Sequence, residues 1–257
     1  MIELDKIYNE DCLEGMKRIA DGAVDCIITD LPYGVLNEQS EGGSWDSIIP
    51  LEPMWEQFKR VTKPNAAIVL FCQGMFTAKL MMSQPKMWRY NLIWDKGRVN
   101  GFLNSKRMPM RHHEDIAIFY QSLPTYNPQM IKTKRHPRRH GVGSNGKQTN
   151  RCYGGFVGTP TTYSDENYPD SIAYFVKGAE KDDDLHPTQK PVDLLRYLIL
   201  TYSNEGDTIL DATIGSGTTA VAALMEKRHF IGFETNKEYF DIAQGRIDQV
   251  LRNPTLF

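Results

Sequence analysis

The sequence predicts an α/β protein built on a mainly parallel sheet with helices on both faces. Apolar, β-branched runs alternate along the chain with helical patterns of 9–15 residues, the rhythm of strand–helix–strand units. One stretch, TILDATIGSGTTAVAAL (208–224), passes from a strand through a glycine turn into a helix. Two apolar runs, VDCIITD (24–30) and HFIGFE (229–234), end on an acid, at the strand end where open α/β sheets bind ligands.

Taken in order, KIYNED (6–11) reads as the first strand and CLEGMKRIA (12–20) as a helix. VDCIITD has the continuous apolar character of a strand buried on both faces. PLEPMWEQFKRV (50–61) is helical, AAIVLFC (66–72) a strand and GMFTAKLMM (74–82) a helix. YNLIWDK (90–96) and EDIAIFYQ (114–121) are the next strands. PVDLLRYLILTYS (191–203) is a helix opened by Pro191, whose missing N–H is not needed there. TILDAT (208–213), GTTAVAALMEK (217–227), HFIGFE and the helix KEYFDIAQGRIDQVL (237–251) complete the series. Between Asn100 and Asp184 the rhythm breaks after residue 121: Gly, Pro, Asn, Thr and Tyr dominate. Aromatics such as Tyr126, Tyr153, Phe156 and Tyr163 argue against plain disorder, so this stretch reads as an inserted recognition region. The expected division is 1–121, 122–184 and 185–257.

With 257 residues, 40% hydrophobic and 24% charged, the chain is large enough for one α/β domain with a substantial insertion. No apolar run approaches the roughly 20 residues that span a bilayer, and the N-terminus lacks a signal-peptide core. The four cysteines show no C-x-x-C spacing, which sets aside a zinc ribbon or a disulfide framework and points to the cytoplasm. Net charge is −2, yet Ile116–Ser164 contains no Asp or Glu. Lys132, Lys134, Arg135, Arg138, Arg139, Lys147 and Arg151 lie in it, a polarised segment suited to nucleic-acid phosphates.

The chemistry concentrates at strand ends. Asp30-Leu31-Pro32-Tyr33 places an acid, a stiff proline and a ring side by side: Asp30 can accept hydrogen bonds from an amino group, and Tyr33 can hold a flat heterocycle. In the glycine turn, Gly215 and Gly217 permit close backbone approach while Ser216, Thr218 and Thr219 supply hydroxyls. Glu234, 19 residues beyond Gly215, is placed to accept from two ribose hydroxyls. Asp211 would repel a pyrophosphate and attract a sulfonium or ammonium, which points away from NAD and toward S-adenosylmethionine. Lys190, in HPTQKP (186–191), offers the complementary charge for a cofactor carboxylate. RHHED (111–115) has no second ligand cluster of suitable spacing, so no metal is expected.

DLPY (30–33), HPTQKP (186–191), DATIGSGTT (211–219) and GFE (232–234), in that order, resemble the DNA amino-methyltransferases, and the order is that of their beta class. YNEDCLEGM (8–16) and residues 94–120 extend the likeness over nearly the whole chain. The resemblance implies a Rossmann-like seven-stranded methyltransferase sheet, circularly permuted, with an inserted target-recognition region. The permutation would bring DLPY and the glycine turn to neighbouring strand ends across about 180 residues of chain. It further implies S-adenosylmethionine as cofactor, with S-adenosylhomocysteine as product, and double-stranded DNA as substrate. A homodimer and a separate restriction endonuclease are the other partners it suggests. Asp11 would hold the cofactor's adenine amino group with Cys12 and Leu13 near the ring, and Thr213 and Thr235 would complete the cofactor set. Asp30, Pro32 and Tyr33 would form the catalytic motif, with Asp30 and a carbonyl of Leu31 or Pro32 accepting the target amine's two N–H bonds. Tyr33 would stack on the flipped base. Asp at position 30 favours adenine N6; cytosine N4, or a DNA-binding relative with weakened catalysis, are the alternatives. Leu31 departs from the proline common in the family and removes one φ restraint.

Overall fold

Strands form where the sequence places continuous apolar runs, and helices where the apolar residues return every three or four positions. The computed structural model describes residues 2–34, 47–132, 139–140, 147–150, 154–157, 162–163, 165–176 and 189–252, with 139–140, 147–150, 154–157 and 162–163 described as backbone. The first half contains β1 (Lys6–Tyr8), α1 (Cys12–Met16), β2 (Val24–Asp30), α2 (Leu51–Val61), β3 (Thr62–Cys72), α3 (Met75–Ser83), β4 (Trp88–Asn100) and β5 (Arg111–Phe119). The short strands β6 (Ile131–Lys132), β7 (Arg139–His140), β8 (Lys147–Asn150), β9 (Gly154–Val157), β10 (Thr162–Tyr163) and β11 (Glu166–Asn167) follow. The chain then makes β12 (Ile172–Tyr174), α4 (Val192–Tyr202), β13 (Thr208–Asp211), α5 (Thr218–Met225), β14 (His229–Phe233) and α6 (Lys237–Arg252).

Two compact units result: Met1–Asn127 with Ser171–Phe257, and Pro128–Asp170. The first holds an eight-stranded sheet ordered β1-β14-β13-β2-β3-β5-β4-β12. Every neighbouring pair is parallel except those of β5, which runs antiparallel to β3 and β4. Seven of these strands are the ones read from sequence. The eighth, β12, comes from the stretch expected to be all insertion and pairs with β4 at Ile172↔Ile93 and Tyr174↔Asp95. β1 stops at Tyr8, short of the expected Asp11, because Asp11 caps α1: its Oδ1 accepts from the Leu13 and Glu14 amides at 2.8 and 3.2 Å. The second unit contains three antiparallel two-stranded ladders, β6–β11, β7–β10 and β8–β9.

Side chains alternate across the sheet and feed two apolar layers. Cys26, Ile28, Val69, Phe71 and Ile116 pack with α4, α5 and α6, whereas Ile27, Ile68, Leu70 and Phe119 pack with α1, α2 and α3. Leu31 belongs to the second layer and is 2% exposed, so packing holds the position that proline would have held through φ. No helix of the described residues is long and apolar enough to cross a membrane.

Gly15 brings α1 down onto β14. A Cβ there would lie 2.1 Å from Phe233 Cε1, inside any tolerable contact, so either α1 lifts or the ring moves. Gly15→Ala is therefore expected to destabilise the fold by about 1–3 kcal/mol, the usual cost of overpacking. Urea denaturation measures this; an unchanged midpoint would show that α1 shifts without cost.

Candidate active site

The carboxyl ends of β1, β14, β13, β2 and β3 lie along one edge of the sheet, as the parallel pairings require. Because β5 is reversed, its amino end lies along the same edge. The connections diverge between β13 and β2, one leading to β14 and the other to β3, and such a switch point opens a crevice. A cavity of about 490 Å³ occupies it. Of the residues singled out from sequence, Asp11, Cys12, Asp30, Pro32, Tyr33, Lys190, Asp211, Thr213, Gly215, Ser216, Thr218, Glu234 and Thr235 line this one cavity. Leu13 and Gly217 are not part of its lining. Leu13 packs against the second apolar layer. Gly217, at φ +83°, gives α6 room: a Cβ would sit 2.9 Å from that of Ala243.

On the glycine-turn side, backbone amides fix the acids. Glu234 Oε2 accepts from Gly215 N at 3.0 Å and Oε1 from Asn236 N at 2.8 Å. Burial raises its pKa, and these amides oppose the rise. A carboxylate has about four lone-pair sites, so each oxygen retains capacity toward the cavity. Asn9 Nδ2 donates to the carbonyls of Glu234 and Thr235 at 2.7 and 3.1 Å, stitching the end of β1 to that of β14. Asp211 is buried; its Oδ1 accepts from Thr213 N at 3.1 Å and its Oδ2 from the Thr219 hydroxyl at 2.6 Å. Burial pushes its carboxyl up to about 6. Burial likewise pushes the Cys12 thiol up to about 12 and keeps it neutral.

One supporting residue escaped the sequence reading. Arg246 of α6 is buried and donates through Nη1 to Ser216 O at 2.8 Å and to Thr218 Oγ1 at 3.1 Å. Ser216 in turn donates to Gln189 Oε1 at 3.1 Å. The last helix thus pins the glycine turn, and the turn pins the segment that carries Lys190. An arginine within the helical pattern KEYFDIAQGRIDQVL gives no such signal.

On the DLPY side, the Thr213 hydroxyl donates to the carbonyl oxygen of Asp30 at 2.9 Å and lies 2.8 Å from the Thr29 hydroxyl. This joins the two strand ends directly. Tyr33 donates its hydroxyl to Asp30 Oδ1 at 2.7 Å, and its ring lies 5.3 Å from that of Phe76. Asp30 Oδ2 forms an ion pair with Lys190 Nζ. The sequence pointed Lys190 at a cofactor carboxylate; in the structure it pairs with Asp30. The ammonium also lies 3.6 Å from Glu114 Oε2 and over the rings of Phe71 and Trp94, 5.0 and 5.9 Å from their centroids. Glu114 Oε1 is 3.1 Å from Lys96 Nζ.

Burial raises the pKa of Asp30; Lys190 opposes the rise and the Glu114 charge adds to it. Burial alone would lower the Lys190 ammonium, but the carboxylates of Asp30 and Glu114 outweigh it and keep the group charged. Burial, with the neighbouring Asp30 charge, raises the Tyr33 phenol well above its usual value, which keeps it a donor.

Of the expected DNA-facing residues, Lys132 is exposed on β6. Lys134, Arg135, Arg138 and Arg151, and the side chains of Arg139 and Lys147, lie outside the described residues. No group of three or more His, Cys, Asp or Glu among the described residues is placed to hold a metal ion.

Comparison with known proteins places this geometry. The N6/N4 methyltransferase model, described as DNA methylase, matches residues 24–245. The chain is 28% identical to the type II methyltransferase M.BglII of Bacillus subtilis, over 93% of this chain and 68% of that protein. It is 24% identical to the type II methyltransferase M1.MboII of Moraxella bovis, over 97% of this chain and 99% of that protein. In fold it resembles M1.HpyAVI in its SAM complex (TM-score 0.63, 22% identity, 95% of this chain and 98% of that chain). It also resembles the PvuII cytosine-N4-specific DNA methyltransferase (TM-score 0.65, 12% identity, 96% and 91%). The matched span runs from β2 through the glycine turn into α6, and the chain therefore belongs to the N6/N4 DNA methylase family, the DNA amino-methyltransferases.

Proposed function

We propose that the protein methylates the N6 amino group of an adenine extruded from duplex DNA, with S-adenosylmethionine as methyl donor. The observation that carries this is the single cavity shared by the Asp30–Tyr33 strand end and the Gly215–Glu234 cradle, with Thr213 bonded across the seam.

The donor side fits a nucleoside bearing an amino-acid tail. Glu234, held by Gly215 and Asn236, would take the ribose hydroxyls. Asp11 Oδ1 is used in capping α1, which leaves Oδ2 for an adenine amino group. Asp211 would balance the cationic part of the ligand. S-adenosylmethionine supplies a methyl group made electrophilic by its sulfonium. On the acceptor side, an exocyclic amine conjugated with its base is a poor nucleophile. Asp30 and a carbonyl of Leu31 or Pro32 would accept its two N–H bonds, drawing the nitrogen toward tetrahedral geometry and releasing the lone pair for direct in-line attack. The nitrogen–methyl bond would form as the methyl–sulfur bond breaks, and the proton then shed by nitrogen would pass to the Asp30 carboxylate. Most of the rate enhancement then comes from position and preorganised acceptors.

A base must leave the duplex to reach this crevice, at a cost of a few kcal/mol, and stacking on Tyr33 would return about 1–3 kcal/mol. Asp at position 30 supports adenine over cytosine. The basic segment from Lys132 to Arg151 would supply phosphate contacts, which give affinity without sequence information. The relatives named as type II methyltransferases support a restriction–modification setting; a separate endonuclease would be the partner enzyme.

Labelled methyl transfer to DNA followed by nucleoside analysis tests the reading. The expected product is N6-methyladenine; N4-methylcytosine would replace the assigned base, and no label would leave a DNA-binding relative. Asp30→Ala should abolish transfer while cofactor affinity persists by calorimetry. Substantial remaining turnover would remove Asp30 from the chemistry.

Glu234→Ala should raise the cofactor dissociation constant about tenfold or more, since one or two charge-assisted hydrogen bonds are lost. An unchanged constant would defeat the ribose assignment. Asp211 gives a pH signature. Its carboxyl, pushed up to about 6, must be ionised to balance a cation. Affinity should hold above that pH and fall about tenfold per unit below it. Asp211→Asn should weaken binding at pH 8 and flatten the acid fall; a wild-type-like profile would rule out the charge role.

A further inference from the structure

Asp30, Lys190, Glu114 and Lys96 form an alternating row of charges, two of each sign, at the acceptor end of the cavity. Four separate elements supply them: the end of β2, the segment before α4, the start of β5 and the middle of β4. Lys96 and Lys190 are 2% and 8% exposed. Buried ions persist only when paired, and removing one partner leaves an uncompensated charge at high cost. The row is therefore a unit, and its order matters. Lys190 stands between two carboxylates, on Asp30 Oδ2 and 3.6 Å from Glu114 Oε2, while Lys96 holds the far oxygen of Glu114 at 3.1 Å. The Phe71 and Trp94 rings face the Lys190 ammonium at 5.0 and 5.9 Å, so it sits in a fixed slot between its two acids.

An isolated Asp30–Lys190 pair would present almost no net charge to an incoming amine. Sharing the lysine with Glu114 leaves part of the Asp30 charge uncancelled and so preserves its strength as an acceptor. We propose that Glu114 is a positioning residue for methyl transfer: acting through Lys190, it sets how much of the Asp30 negative charge faces the acceptor amine, and Lys96 holds Glu114 in place through its far oxygen. The proposal rests on the methyltransferase reading above for the role of Asp30. Among the described residues, Tyr33 on its own strand end also bonds Asp30, and the Asp30 charge in turn raises the carboxyl of Asp211 across the seam and the thiol of Cys72 at the end of β3.

The test compares wild type, Glu114→Gln and Lys190→Gln in the full chain. The Asp30 carboxyl is titrated by carbon-13 NMR and assigned with Asp30→Asn; the pH profile of kcat is measured beside it. Removing the Glu114 charge should move the Asp30 midpoint and the acid limb of kcat to lower pH, whereas removing the Lys190 charge should move both to higher pH. Glu114→Gln should also lower kcat about tenfold, the scale on which partners one contact away from a reacting group act, with cofactor affinity unchanged. Loss of packing alone would lower activity without opposite shifts. If Glu114→Gln does not fold, Glu114→Asp, which withdraws the carboxylate by one methylene, should give a shift of the same sign and smaller size. An Asp30 midpoint indifferent to Glu114 overturns the proposal. If the wild type transfers no methyl group, the functional reading fails, and the Asp30 titration still decides whether Glu114 acts on it.

Discussion

The seam between β13 and β2 is where two stretches of chain far apart in sequence become one site. Its ladder is short, with Ile209 opposite Cys26 and Leu210 opposite Ile27. Side chains close it at both ends. At the amino end Asp25 Oδ2 accepts from Thr208 N at 3.0 Å; at the carboxyl end the Thr213 hydroxyl reaches the Asp30 carbonyl. Donor-side chemistry hangs from β1, β13 and β14, and acceptor-side chemistry from β2 through β5 and the segment before α4. Their relative placement is only as exact as this seam, and a methyl transfer is sensitive to placement at the scale of an ångström.

Three acids at the site each have two partners from the chain itself. Glu234 rests on two backbone amides, Asp211 on an amide and a hydroxyl, Asp30 on a phenol and an ammonium. Such preorganisation means little reorganisation is needed when substrate binds. It also explains why the acids stay at the edge of a tightly packed sheet: each carries enough partners to offset the loss of water. The support comes from outside the motifs, from Arg246 beneath the glycine turn and from Glu114 and Lys96 behind Lys190.

Much of this was legible in the chain. Continuous apolar runs such as VDCIITD located the strands, and the acids that end them located the ligand edge. Strand direction was not legible. EDIAIF reads the same whether parallel or antiparallel, and only the reversal of β5 puts Glu114, at the strand's start, beside the ends of the others. Lys190 was found as a charge near the site, but its partner could not be, since Asp30 is 160 residues away. β12 was missed because three residues in a Gly- and Pro-rich context carry too little periodicity to announce a strand. Leu31 is the converse case: the departure from family pattern suggested a looser turn, and burial supplies the restraint that proline would have given.

The order of the sheet has a consequence for how the protein is made. A ribosome releases β13 about 180 residues after β2, so over that interval the strand that ends in Asp30 has an open edge where β13 will lie. Open edges invite pairing with other chains, and partly made domains are exposed to that hazard. Here the edge is closed by the strand that begins the glycine turn. Docking of β13 therefore covers the open edge of β2 and sets the glycine turn beside Asp30 in the same folding event.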